Sequence, residues 1–166
     1  MRWSVLVLLV GLITFGCFPK QPKNVLIDNI ILSETKGGEA NIQHTFKGGT
    51  TFYLSFSVVD FIKGRQGVVW LEEDLQVTGP DGGVLEWVSS FGEVKKFDYK
   101  NYWEINKKMP ENVREIPVNN LITLPPNPAE GEYKILIILR DKIGRTQASQ
   151  ELFFKYLKPK GKGKKP

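Results

Sequence analysis

Cysteine and histidine are nearly missing from this chain: each occurs once in 166 residues. A single cysteine excludes an internal disulfide. One cysteine with one histidine falls short of the three or four nitrogen and sulfur ligands of a zinc centre. Past Phe15 no apolar run approaches the roughly 20 residues that a membrane-spanning helix needs. No stretch repeats apolar residues convincingly at helical spacing. The Gly-x-Ser-x-Gly turn of a serine hydrolase is absent. The glycine pairs at 37–38, 48–49 and 82–83 fall in turns, not in the strand–loop–helix setting of a phosphate cradle. His44, in NIQHTF, then lacks partners for a triad or a metal and reads as a strand-surface residue. The expectation is a protein that is not an enzyme, with no metal and no cofactor.

What is present begins with the first seventeen residues. Arg2 is the one charge, and Val5 to Phe15 carry none. A positive start, a short apolar run and a small residue form a secretory signal peptide, here residues 1–16. Thr14-Phe15-Gly16-Cys17 resembles the lipobox of bacterial lipoprotein signal peptides. That resemblance implies that Cys17 is acylated on sulfur and opens the mature chain. Thr14 and Phe15 depart from the Leu and small residue usual at those places. The alternative is ordinary cleavage nearby, with Cys17 removed or left as a free thiol. Acylation would dispose of a thiol that is a liability in an oxidising compartment. Residues 17–23 hold two prolines and two lysines and read as a lipid-anchored tether. The expected location is outside the cytoplasm, anchored in the bacterial cell envelope at the outer membrane or the periplasmic face.

The body reads as strands and turns. In TTFYLSFSVVD (50–60), Phe52, Leu54, Phe56 and Val58 fall on one side and Thr51, Tyr53, Ser55 and Ser57 on the other. Period 2 with aromatic and β-branched residues marks a half-buried strand. Further strands are expected over 24–34, 68–79, 84–88, 115–125, 132–141 and 146–157. The 115–125 strand carries a proline near its start and belongs at an edge. EYKILIILRD (132–141) is apolar enough for a central strand, with Tyr133, Ile135, Ile137 and Leu139 on one side. GPDGG (79–83) is a strong turn signal. Residues 89–114 show the least pattern. Turn signals at intervals of about ten residues argue for an all-β, two-sheet antiparallel sandwich of seven or eight strands over residues 24–157.

FKGGTTFYLSFSV, DLQVTGPDGGVL and LPPNPAEGEYKILIILRDKIG resemble the immunoglobulin-like sandwich domains of exported bacterial proteins, including the macroglobulin-like type. The shared features are a glycine turn before an alternating strand, an Asp-Gly turn in mid-domain, and Gly-x-Tyr leading into a strand that ends in Arg-Asp. The resemblance implies that Tyr133 is a corner tyrosine bonded back to the chain. It implies no activity, because the fold hosts many.

Charge is distributed unevenly. The tail KPKGKGKKP (158–166) holds Lys158, Lys160, Lys162, Lys164 and Lys165 and no acid. Without that tail and the leader, 17 basic residues face 18 acidic ones, so the tail makes the chain basic. Glycine and proline between lysines prevent regular structure, so the tail reads as disordered. Its two readings are a solvated end and an arm for an anionic lipid or envelope polymer, where each lysine contributes on the order of 1 kcal/mol. The body has no basic stripe, so no nucleic-acid partner is expected.

Two clusters remain. Glu72, Glu73 and Asp74 are consecutive on a strand, so at most Glu72 and Asp74 converge, and a solvated face is expected. Trp87, Phe91, Phe97, Tyr99, Tyr102 and Trp103 crowd one stretch, as a local core or as a binding surface. Trp87, Phe91, Tyr99, Tyr102 and Trp103 are the candidate binding residues. The chain is thus expected to be a membrane-anchored lipoprotein acting as a structural or interaction module on another envelope protein or polymer. The alternative is a glycan- or small-ligand-binding lipoprotein that uses residues 87–103. Its oligomeric state is not legible.

Overall fold

The alternation over residues 51–59 is realised as a strand, and in the computed structural model Phe52, Leu54, Phe56 and Val58 are all buried. The structure describes residues 24–47, 51–88, 94–96, 98–125 and 127–159, with backbone alone at 86–88, 94–96 and 98–101. The strands in chain order are β1 (Leu26–Ser33), β2 (Thr45–Lys47), β3 (Thr51–Val59), β4 (Val68–Thr78), β5 (Glu86–Val88), β6 (Val94–Lys96), β7 (Asp98–Lys108), β8 (Glu115–Thr123), β9 (Gly131–Asp141) and β10 (Thr146–Leu157). One 3-10 turn, Arg65–Gly67, precedes β4.

The strands form a three-stranded sheet in the order β1-β3-β8 and a five-stranded sheet in the order β2-β10-β9-β4-β7. β5 and β6 make a separate hairpin. The two larger sheets face each other across one core. Leu32, the four β3 residues, Ile116, Val118 and Ile122 come from one side. Val69, Leu71, Leu75, Val77, Tyr133, Ile135, Ile137, Leu139, Phe154 and Tyr156 come from the other. Each such side chain contributes roughly 1.5–3 kcal/mol by leaving water. The chain is therefore an all-β, two-sheet sandwich.

Several expectations are met by the geometry. β9 lies between β10 and β4, so the most apolar strand is central. β8 is an edge, and Pro117 sits where no donor is needed. The Leu121 carbonyl points away from β3, to the Tyr102 hydroxyl. Strand periodicity then turns the Pro117 backbone outward too. The Tyr133 hydroxyl donates to the Ala129 carbonyl at 2.7 Å, the corner bond of an immunoglobulin-like domain. Gly131, at φ 148°, is required beside it: a Cβ there would lie 2.8 Å from Pro80. The Arg-Asp end of β9 has two functions. Arg140 reaches Asp74 on β4, and the buried Asp141 carboxylate accepts the amides of Ile62, Ile143 and Gly144.

Others are not met. Among the described residues the two sheets hold eight strands, as expected, but β5 and β6 add a hairpin outside them. β2 joins β10 in a three-residue parallel pair, so the pairing is not wholly antiparallel. β7 fills part of the stretch read as unpatterned. Its register shifts against β4: Tyr99 opposes Leu75 and Trp103 opposes Glu73. Three residues of β7 thus span what Asp74 alone spans on β4, a bulge that hides the period. β7 is also an edge, and its inward-register position opposite Val69 is the exposed Lys107.

The registers give the sandwich two ends. At the leading end β1, β4, β8 and β10 begin and β3, β7 and β9 finish. There the Val25 amide is held by the Thr146 hydroxyl, and Lys63 donates to the carbonyls of Pro110 and Glu111. The trailing end carries the 79–83 turn, the Tyr133 corner and the exit of β10 towards Lys158.

Candidate functional site

The two outer faces of the sandwich differ in chemistry. On the five-stranded sheet, outward residues alternate with the core stripes of β4 and β9, and they are laced by ion pairs. Lys134 meets Glu151 at 3.1 Å, Lys142 meets Glu72 at 3.2 Å, and Arg140 meets Asp74. Trp70 donates its indole N–H to Glu104 at 3.0 Å, and Lys142 lies 5.7 Å from the centre of its ring. These pairs occupy both signs of charge across that face. Each exposed pair stabilises by no more than about 1 kcal/mol.

The outer face of the three-stranded sheet is nearly uncharged. Its cross-strand rows are Ser33–Tyr53–Leu121, Ile31–Ser55–Asn119, Asp28–Ser57–Pro117 and Leu26–Val59–Glu115. Asp28 and Glu115 are its only charged residues in those rows, and both lie in the two rows nearest the leading end. Leu26 (49% exposed), Ile31 (37%) and Leu121 (47%) are three of the most exposed large apolar residues. Between them stand polar groups bonded to one another: Ser55 donates to Asn119 at 2.7 Å, and the Thr51 and Thr123 hydroxyls lie 3.4 Å apart. In its shortage of charge and its exposed apolar residues, though not in its serines, this face matches an interface core.

The groups suited to chemistry are tied into the fold. His44 precedes β2 in a left-handed conformation, and its Nδ1 donates to the Phe153 carbonyl at 3.1 Å. This corrects its reading as a strand-surface residue: it joins a turn to β10. Asp141 serves backbone amides. Among the described residues, no group of three or more His, Cys, Asp or Glu is placed to hold a metal.

Glu73 is the exception to the solvated reading of the acidic triplet. Glu72 and Asp74 do share the outer face. Glu73 instead falls in the core stripe between Leu71 and Leu75, with no solvent exposure. Asn120 on β8 donates to its Oε1 at 2.6 Å across the gap between sheets, and Oε2 has no partner. Burial, countered in part by the Asn120 bond and reinforced by Asp74, pushes its pKa from 4.5 to about 7. The alternation of β4 carried the signal for this, but its residue type argued the other way.

The sequence-predicted site residues are dispersed. Tyr102 and Trp103 are half-buried against the core, and the Tyr102 hydroxyl donates to the Leu121 carbonyl at 3.2 Å. They close the seam between the edge strands β7 and β8. Trp87 lies on β5 and Tyr99 on β7, with only their backbones described; Phe91 lies outside the described residues. So do Cys17, Lys160, Lys162, Lys164 and Lys165, whereas Lys158 is exposed at the trailing end. An open crevice of about 650 Å³ lies at the leading end, lined by Phe61, Lys63, Val113 and Arg114 among others.

The class that this geometry defines is an immunoglobulin-like β-sandwich. No family model matches the chain, and no curated protein does. Solved structures similar to it include an alkylpurine DNA glycosylase from Pseudomonas fluorescens (13% identity, TM-score 0.42). That match covers 81% of this chain but only 31% of the glycosylase. A Niemann-Pick type C2 protein from Japanese carpenter ant matches at 12% identity and TM-score 0.47, covering 82% of this chain and 95% of that one. An immunoglobulin-like protein from Pseudomonas aeruginosa matches at 17% identity and TM-score 0.41, covering 83% of this chain and all of that one. These are likenesses of fold, and no activity passes from them.

Proposed function

We propose that the protein is a membrane-anchored, non-catalytic docking module of the cell envelope, and that the outer face of the three-stranded sheet receives a protein partner. The observation that supports this is the contrast between the two faces. The five-stranded sheet sets Phe153 and Trp70 among ion pairs on its outer surface, whereas the smaller sheet leaves Ile31, Tyr53 and Leu121 among uncharged polar groups. Charged residues resist burial at the centre of an interface; this composition does not. The anchor in this reading is Cys17, which follows Gly16 at the end of the apolar leader.

Ile31→Asp combined with Leu121→Asp tests the docking face in the full-length chain. The expected result is that wild-type protein, extracted gently from membranes, migrates as a complex, while the double variant migrates alone and remains folded. A double variant that stays in the complex would refute the assignment.

A further inference from the structure

Basic residues gather at one end of the sandwich. The leading end comprises residues 24–26, 59–68, 107–115 and 141–146. It holds seven basic residues, Lys63, Arg65, Lys107, Lys108, Arg114, Lys142 and Arg145, and four acidic ones, Asp60, Glu111, Glu115 and Asp141. The rest of residues 24–157 holds eight basic against fourteen acidic. One end is thus net +3 and the remainder net −6, a polarity that the net charge of −3 over residues 24–157 conceals. Asp141 is buried among three amides, so it contributes little at the surface. Apart from the half-buried Lys63, the seven basic side chains are exposed, and Lys142 among them is paired with Glu72.

The second observation is where the chain enters. Val25 is wholly buried and its amide is held by Thr146, so the backbone arriving from residue 23 joins the fold at this same basic end. The apolar leader and Cys17 precede it by a few residues. From Cys17 to Asn24 the chain spans at most about 25 Å, even fully extended. An acyl group on Cys17 would therefore hold the leading end near the headgroups. The trailing end, where Lys158 departs, lies a strand length away: β10 has twelve residues, about 40 Å.

We infer that the leading end is a second, electrostatic membrane contact, in which its basic side chains rest on anionic lipid headgroups at the foot of the tether. The inference rests on the anchored reading above. It gives the domain a fixed posture, standing on its basic end with the docking face of the small sheet turned sideways. It also assigns the surface contact to the folded end and not to the lysine tail, which leaves from the opposite end.

The test uses full-length protein reconstituted in vesicles of phosphatidylcholine alone or of phosphatidylcholine with phosphatidylglycerol. Amide exchange is followed in residues 60–67, 109–114 and 142–145. These loops should exchange at least about tenfold more slowly on the anionic vesicles, and the protection should fade as salt shortens the Debye length. Reversing Arg65, Lys108, Arg114 and Arg145 to Glu should abolish it. Reversing Lys36, Lys47, Lys155 and Lys158 to Glu changes the net charge equally at the trailing end and should leave it intact. Equal exchange on both vesicles, or equal loss in both variants, would overturn the inference. The intact mass of the extracted chain decides the anchor separately. If Cys17 carries no lipid, salt-sensitive co-sedimentation with the anionic vesicles still decides the role of the basic end.

Discussion

Replacing Glu73 by glutamine should make the protein more stable at neutral and alkaline pH. Glu73 lies in the core stripe of β4, with Trp103 opposite it on β7, Leu139 opposite it on β9 and Asn120 reaching it from β8. The nearest charge is Asp74, on the other face of the same strand and paired with Arg140. Only the Asn120 amide offsets an ionised Glu73 there. Its pKa is about 7 in the fold against 4.5 ordinarily. Below the lower value the carboxyl is neutral in both states, and the fold has its full stability. Between the two values the unfolded chain releases its proton and the folded chain keeps it, so stability falls as pH rises. Above about 7 both are ionised and the loss is complete. The difference corresponds to about 3 kcal/mol. The Glu73→Gln variant keeps the side-chain shape and the Asn120 bond without an ionisable group. Urea unfolding of both proteins across about pH 4 to about pH 8 gives the answer, because subtracting the two profiles cancels every other titrating group. The wild type should lose stability relative to the variant across that range. Parallel profiles would show that Glu73 is not buried as described.

Ile137→Ala should cost about 2–5 kcal/mol by leaving a cavity between the sheets. Lys134→Ala, three residues earlier on β9 and paired only at the surface, should cost under about 1 kcal/mol in the same unfolding assay. Gly131→Ala should lower the melting temperature by several degrees, since its methyl would meet Pro80 at a backbone conformation that side chains rarely adopt. Cys17→Ser should move the protein from the membrane fraction to the soluble one; identical processing and retention would end the lipoprotein reading.

The parts of this fold that are legible in the sequence are the half-buried strands. β3 shows its core face and its outer face in one glance, because every second residue is apolar. β9 is equally plain, and Gly131 with Tyr133 announces the corner. β7 is not legible, since its bulge breaks the period and an edge strand covers less core. Glu73 obeys the alternation of β4 but contradicts it in residue type, and only the bond from Asn120 reveals how it is accommodated. The candidate face was half visible. Thr51, Tyr53, Ser55 and Ser57 are the outer side of β3 by simple parity. That Ile31 and Leu121 flank them depends on β1 and β8 pairing with β3, and β8 lies far along the chain from it. The basic residues of the leading end come from three separate segments and have no sequence signature at all.

The nearly uncharged face of the three-stranded sheet is proposed to dock a protein. Photo-crosslinkers placed singly at Ile31, Leu121 and, on the opposite face, Ile138 would test it in intact cells. One shared adduct is expected from positions 31 and 121 and none from 138. Adducts from 138 alone, or no adduct from either 31 or 121, would contradict it.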